Sequence, residues 1–327
     1  MSILDFWLFP FLALAAILTE ALTGYPQVLF RWIGHPVTWI GALIAALDDA
    51  LNRPEHGEDI RRALGVVALA IIIGLPTLAA FLLDRLIGFH PIGFAALAIL
   101  ASTLLAQRSL YVHVAQVSVG LRVSLEEGRT AVGRIVGRNP AYLDEAGVSR
   151  AAIESLAENL SDGIVAPVFY MTILGFPGGV AYKAVNTADS MIGHKTERHG
   201  AFGWASARFD DLVNLPASRL SALFLVLAAA TMRGASPRQA VQAVFRDAQH
   251  HRSPNAGWPE AATAGALGLA LNGPKVYGNT RVNDATMGNG RRDVGPDDID
   301  RALALYVRAL TIQAIIVFIA ALGLALL

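Results

Sequence analysis

Residues 63–83 read ALGVVALAIIIGLPTLAAFLL, 21 positions without a charged side chain. As a helix rising 1.5 Å per residue this stretch covers about 30 Å, the thickness of a bilayer's hydrocarbon layer. Working outward, residues 88–107 follow after only Asp84 and Arg85 have interrupted the apolar run. Residues 304–327 carry no charge from Ala309 onward. Residues 6–23 form a shorter apolar stretch in which Glu20 is the first charge, and no Lys or Arg precedes Arg31. It therefore lacks the basic leader of a cleaved signal peptide. Residues 163–182 contain Pro167, Pro177 and the Gly178-Gly179 pair, and residues 212–232 contain Pro216 and Arg219. Broken apolar segments of that kind are expected either to span or to re-enter while buried in protein.

Composition agrees. Of 327 residues, 54% are hydrophobic and 16% charged, against roughly 45–50% and 25% in a soluble domain; the mean hydropathy is +0.48. A chain this apolar cannot hide its Leu, Ile, Val and Ala in aqueous cores, so the lipid bilayer is its expected surroundings. The expected fold is all-α: one integral-membrane domain over residues 1–327, with about four to six transmembrane or re-entrant helices and long helical polar connections. No strand alternation, internal repeat or low-complexity tract is visible.

Lys+Arg and Asp+Glu balance at 26 each, which gives no basic face for nucleic acid. The absence of cysteine removes disulfides, thiolate metal sites and a Cys nucleophile. Neither GxxxxGK[ST] nor HExxH nor GxSxG occurs, so nucleotide binding would need another construction. The positive-inside rule places residues 24–62 (Arg31, Arg53, Arg61, Arg62) and 107–162 (six Arg) in the cytoplasm, with the N-terminus outside. The side of residues 183–211 depends on how many of the two broken segments cross, and the sequence leaves this open.

Four polar stretches can carry chemistry. Residues 149–163 read SRAAIESLAENLSDG, with Ser149 as the expected N-cap and Glu154, Glu158 and Asp162 at i, i+4, i+8 on one helix face. Like charges at that spacing repel by about 0.2–0.5 kcal/mol per pair, so water, an Arg or Mg²⁺ must compensate. Residues 183–214 read KAVNTADSMIGHKTERHGAFGWASARFDDLVN, the densest polar run in the chain. Lys183, Asn186 and Asp189 share a helix face there. Lys195, Arg198 and Arg208 are suited to phosphate oxygens, and Asp210 and Asp211 to Mg²⁺ or to taking a proton from an amine. The alternative for any one of them is a headgroup contact or an internal salt bridge. Residues 250–259, HHRSPNAGWP, read as a rigid non-helical loop. In it Asn255 and Trp258 could face a planar ligand, and the adjacent His250 and His251 read as a surface pair. In GHPVTWIG (residues 34–41), His35 with Trp32 and Trp39 reads more readily as an interfacial feature than as a base.

HPVTWIG, ESLAENLSDGIVAPVFY (154–170), the run from Ala181 to Leu220, HRSPNAGWPEAATAGALG (251–268) and NGPKVYG (272–278) together resemble the CobD/CbiB family of cobalamin biosynthesis. The blocks match in order and spacing over about residues 20–320. The resemblance implies a multi-pass protein of the bacterial cytoplasmic (inner) membrane. It also implies ATP-dependent amide formation between a carboxylate of adenosylcobyric acid, a corrinoid, and (R)-1-aminopropan-2-ol or its O-phosphate. On that expectation Glu158, Asp162, Asp189 and Asp210 are catalytic candidates. Asn186, Lys195, Arg198, Trp204, Arg208, Asn255 and Trp258 are candidates for binding substrate, and Glu158, Asp162 and Asp211 for holding the Mg²⁺ of Mg²⁺–ATP. Other enzymes of the cobalamin pathway are possible partners. Two competing readings are a transporter, which would usually show repeat symmetry, and a non-catalytic membrane scaffold for corrinoid enzymes.

Overall fold

The computed structural model describes residues 8–24, 34–88, 90–137, 139–273, 275–277, 280–282 and 284–326; the side chains of 275–282 lie outside the description. Arg31 and Trp32, used above for orientation and for the interfacial reading, also fall outside the described residues.

The helices are α1 (Leu8–Thr23), α2 (Pro36–Leu51), α3 (Glu58–Ile87), α4 (Pro91–Ser102), α5 (Gln107–Val123), α6 (Leu125–Val132), α7 (Glu145–Leu160), α8 (Ala166–Ile192), α9 (Trp204–Ala230), α10 (Pro237–Asp247), α11 (Gly257–Leu267) and α12 (Pro296–Ala325). A π-helical turn, Ser161–Val165, joins α7 to α8. The all-α reading holds, with one local departure. The Gly/Asn-rich loop near residue 272 carries four short strands, β1 (Leu271–Asn272), β2 (Lys275–Tyr277), β3 (Thr280–Val282) and β4 (Thr286–Met287). They form two antiparallel ladders, β1 with β4 and β2 with β3. Strands of two or three residues are too short for alternation to be visible.

Among the described residues, five helical stretches are long and apolar enough to cross a membrane: Glu58–Ile87, Pro91–Val123, Glu145–Ile192, Trp204–Ala230 and Pro296–Ala325. They overlap the expected spans 63–83, 88–107, 163–182, 212–232 and 304–327 in turn, whereas the expected 6–23 span corresponds to the shorter α1. Exposure supports the membrane reading. Val66, Val67, Leu75, Leu78, Phe81 and Leu82 on α3 are all exposed, as are Ile315, Ile316, Phe318, Ile319 and Leu322 on α12. Apolar surface of that extent is costly in water and costs nothing against lipid.

The chain divides into two compact units. The first comprises Met1–Ala106, Ala166–Asn214 and Ile316–Leu327. Its core joins Ile40 and Ile44 of α2, Ala68, Leu69 and Ile72 of α3, Ala184, Ala188 and Ile192 of α8, and Phe202 and Ala205 at the start of α9. In this unit α8 breaks at Gly175, whose φ of 69° is left-handed; a Cβ there would come within 2.8 Å of the Phe9 ring on α1. Only glycine meets both conditions at little cost. The second unit comprises Gln107–Val165 and Leu215–Ile315. Helix α7 starts earlier in it than the sequence suggested. Asp144, not Ser149, is the N-cap, its carboxylate accepting the Gly147 N–H at 2.7 Å. Ser149 is fully buried one turn into the helix. Asp caps as well as Ser does, and the Gly147 N–H gives it a donor.

Candidate functional site

In the first unit, the end of α8 and the start of α9 bring together much of the polar run 183–214. Asn186 and Asp189 lie one turn apart on α8, and Asp210 and Asp211 open α9. Asp189 is an electrostatic neighbour of both Asp210 and Asp211. The Asn186 amide reaches the Asp210 carboxylate. Asn214, one turn beyond Asp210, donates from Nδ2 to Asp210 Oδ2 at 2.9 Å. Tyr182 Oη in turn donates to Asn214 Oδ1 at 2.8 Å. Tyr182 stacks on Tyr170 with ring centroids 5.5 Å apart, and Tyr170 donates to the Val213 carbonyl at 2.9 Å. The two tyrosines fix α8 against α9, so the carboxylates are held from both sides.

Asp210 is 8% exposed. Its Oδ2 is satisfied, but its Oδ1 is buried with no hydrogen-bond partner. An unsatisfied buried carboxylate oxygen is expensive, and it is the atom of this unit most in need of a ligand or proton. Around it, Lys195 is exposed and electrostatically paired with Asp211, Arg208 Nη1 lies 3.6 Å from Asp211 Oδ2, and His194 faces Asp189. Asp189 is also crowded by the backbone, since a Cβ on Gly193 would come within 2.0 Å of Asp189 Oδ1. Trp204 begins α9 and is exposed.

Arg198 does something else. It donates to Asp48 Oδ2 at 2.9 and 2.7 Å and to Asp49 at 3.0 Å. His199 adds a 3.3 Å contact and Asn52 a 2.7 Å hydrogen bond to the same Asp48. Arg61 bonds Asn52 and the Arg198 carbonyl. This network fastens the 193–203 loop to α2 and α3. Burial pushes the Asp48 carboxyl up, but the hydrogen bonds from Asn52, Arg198 and His199 and the Arg198 charge outweigh it, so the group titrates below the ordinary carboxylate range. Of the two readings of Arg198, the internal salt bridge is the one its side-chain contacts show.

His35 caps α2. Its Nδ1 accepts the Val37 N–H at 3.3 Å, with Pro36 in the first turn, an arrangement that leaves the neutral ring's proton on Nε2. Burial, then the charge of Lys183, pushes the imidazole below its ordinary value.

The remaining sequence candidates lie in the second unit. The i, i+4, i+8 stripe serves separate ends. Glu154 is buried and accepts the Asn272 N–H at 2.7 Å, anchoring β1. Glu158 is exposed near the end of α7, and Asp162 is half-buried in the π turn. The 250–259 stretch is partly helical, because Trp258 and Pro259 fall in the first turn of α11. His251 is mostly buried, with Nε2 at 3.7 Å from Glu260 Oε1, so the surface reading fits His250 alone. Asn255 is buried and accepts from Ser218 Oγ at 3.1 Å and from Arg219 Nη1 at 2.9 Å. Trp258 lies under the Arg219 guanidinium, 4.3 Å from the ring centroid. Sequence reasoning passed over Tyr182, Asn214 and Arg219 as site residues. The signals were the Tyr182–Asn186–Asp189 face, the i, i+4 spacing of Asp210 and Asn214, and an arginine inside an apolar helix.

Among the described residues no group of three or more His, Asp or Glu side chains gathers as metal ligands.

The family model described as CobD/Cbib protein matches residues 13–306. A cobalamin biosynthesis protein CobD from a Sinorhizobium species is 48% identical over 93% of this chain and 95% of its own length. Proteins of the same name from Rhodobacter capsulatus and Brucella anthropi are 45% and 43% identical, each covering 94% of the chain. No solved structure matches. The match runs through both compact units and through every polar stretch described above, and the chain belongs to the CobD/CbiB family of cobalamin biosynthesis.

Proposed function

We propose that this chain is the ATP-dependent amide ligase of its family, an adenosylcobinamide-phosphate synthase of the bacterial inner membrane. On this reading it joins a carboxylate of adenosylcobyric acid to (R)-1-aminopropan-2-ol or its O-phosphate. The observation that carries the reading is the acidic cluster of Asp189, Asp210 and Asp211, braced by Asn186, Asn214 and Tyr182, with Lys195 and Arg208 beside it.

The reaction explains why such a cluster is useful. A carboxylate does not react with an amine until one oxygen becomes a leaving group. Attack of the corrinoid carboxylate on the γ-phosphate of ATP forms an acyl phosphate and releases ADP. Attack of the amine on the acyl carbon then forms the amide and releases phosphate. The amine must lose a proton to attack, and Asp210, with Oδ1 unpartnered, is the group to take it. Lys195 and Arg208 supply positive charge for phosphate oxygens. Mg²⁺, when bound, would neutralise charge on the transferring phosphoryl group. Asp189 and Asp211 are hard oxygen donors that suit it, in the mode in which one or two carboxylates share the ion with substrate phosphates and water.

The test is turnover by the purified, detergent-solubilised protein given adenosylcobyric acid, aminopropanol phosphate and Mg²⁺–ATP. Corrinoid amide and ADP should appear in a one-to-one ratio and both should be lost in Asp189→Asn. Corrinoid binding without product or ADP from folded protein would instead favour the scaffold reading.

A further inference from the structure

Arg219 sits in the second unit, within the apolar helix α9. A charge in such a segment is costly, and where one persists it usually has a specific partner or task. Every partner of this guanidinium is neutral. Nη1 donates to Ser218 Oγ at 2.9 Å, Asn255 Oδ1 at 2.9 Å, the Pro254 carbonyl at 3.2 Å and the Leu215 carbonyl at 3.3 Å. The flat face rests on Trp258. No Asp or Glu pairs with it among the described residues. Nη1 is crowded with acceptors, whereas Nε and both hydrogens of Nη2 have none among the described residues. The half-buried group is therefore fixed in orientation by one nitrogen and one face, and offers its other edge.

What holds the guanidinium is itself rigid. The loop presenting Asn255 and Trp258 is stiffened by Ser253, whose Oγ accepts the Asn255 and Ala256 N–H groups, each at 3.2 Å. The Ser253 N–H itself donates to His251 Nδ1 at 3.0 Å. A guanidinium pre-set in this way loses little entropy on binding an anion. We propose that the Nε/Nη2 edge of Arg219 binds a phosphate group, two of its oxygens meeting the fork and a third meeting the remaining Nη2 hydrogen. The phosphate belongs either to a soluble phosphate ester or to a lipid headgroup.

The test reads binding and not turnover, so its failure and the failure of the ligase reading are distinguishable. Inorganic phosphate is titrated against the full-length protein in phosphatidylcholine nanodiscs, and bound lipid phosphate is measured in protein purified from native membrane. Wild type should bind phosphate or retain anionic lipid. Arg219→Gln should lose roughly tenfold or more in affinity, or the retained lipid. Arg219→Lys, which keeps the charge without the fork, should fall between. If phosphatidylglycerol nanodiscs abolish phosphate binding by wild type, the source is the headgroup; if they do not, it is the soluble ester. Should Arg219→Gln unfold, phosphate must still raise the unfolding temperature of wild type more than that of Arg219→Lys. Equal phosphate affinity and equal lipid retention in wild type, Arg219→Lys and Arg219→Gln would overturn the proposal.

Discussion

Asn214 divides its amide between two partners, accepting from Tyr182 Oη and donating to Asp210 Oδ2. Asn214 takes Oδ2 of Asp210, and Oδ1 is buried without a hydrogen-bond partner. Asp210→Asn should fold but lose roughly 10²- to 10⁴-fold in turnover, as removal of a general base does. Asn214→Ala should lower kcat with KM little changed, and should cost about 1–3 kcal/mol in unfolding because it leaves Tyr182 and Asp210 short of buried partners. Steady-state kinetics and thermal unfolding of the two variants check both statements.

Gly175→Ala should destabilise by about 2–4 kcal/mol, combining a left-handed backbone with a methyl forced against Phe9. The same change at Gly74, where an added Cβ meets nothing within 4 Å, should be close to neutral. Unfolding of the two variants in the same detergent makes the comparison.

The Asp48 network gives stability that depends on acid. Its carboxyl titrates lower in the folded chain than in the unfolded one, so its contribution is complete above about pH 4 and is lost as pH falls through the folded value. Asp48→Asn should be less stable at neutral pH by about 1–2 kcal/mol and should show a flatter decline below pH 4. Unfolding temperatures measured from pH 6 to pH 3 test this.

His35 acts at milder acidity. Its folded pKa lies below its unfolded one, so below about pH 6.5 the unfolded chain takes up the proton first and the folded state loses ground. His35→Asn keeps a capping acceptor for α2 but cannot titrate. It should match wild type at pH 8 and unfold at a higher temperature than wild type near pH 5.5.

The long apolar runs were readable because their length matches what a bilayer demands, and the five long apolar helical stretches overlap them. The Asn186–Asp189 face and the Asp210–Asp211 pair were readable because helical spacing sets which side chains meet. The pairing of Arg198 with Asp48 was not readable because the two lie 150 residues apart, and no local pattern encodes it. Glu154, Glu158 and Asp162 share a periodicity but not a fate. Asn272, far along the chain, buries the first, and a π turn takes the last out of the regular helix. Arg219 left open in the sequence whether its segment spans or re-enters, and only its neutral surroundings reveal the unused edge.

The central claim is activation of a carboxylate by ATP. The direct measurement uses adenosylcobyric acid labelled with ¹⁸O in its free carboxylate, in a single turnover by the purified protein. Through an acyl phosphate, the carboxylate oxygen that attacks phosphorus leaves with it, so the released inorganic phosphate should carry one ¹⁸O. Amide product accompanied by unlabelled phosphate would contradict the account.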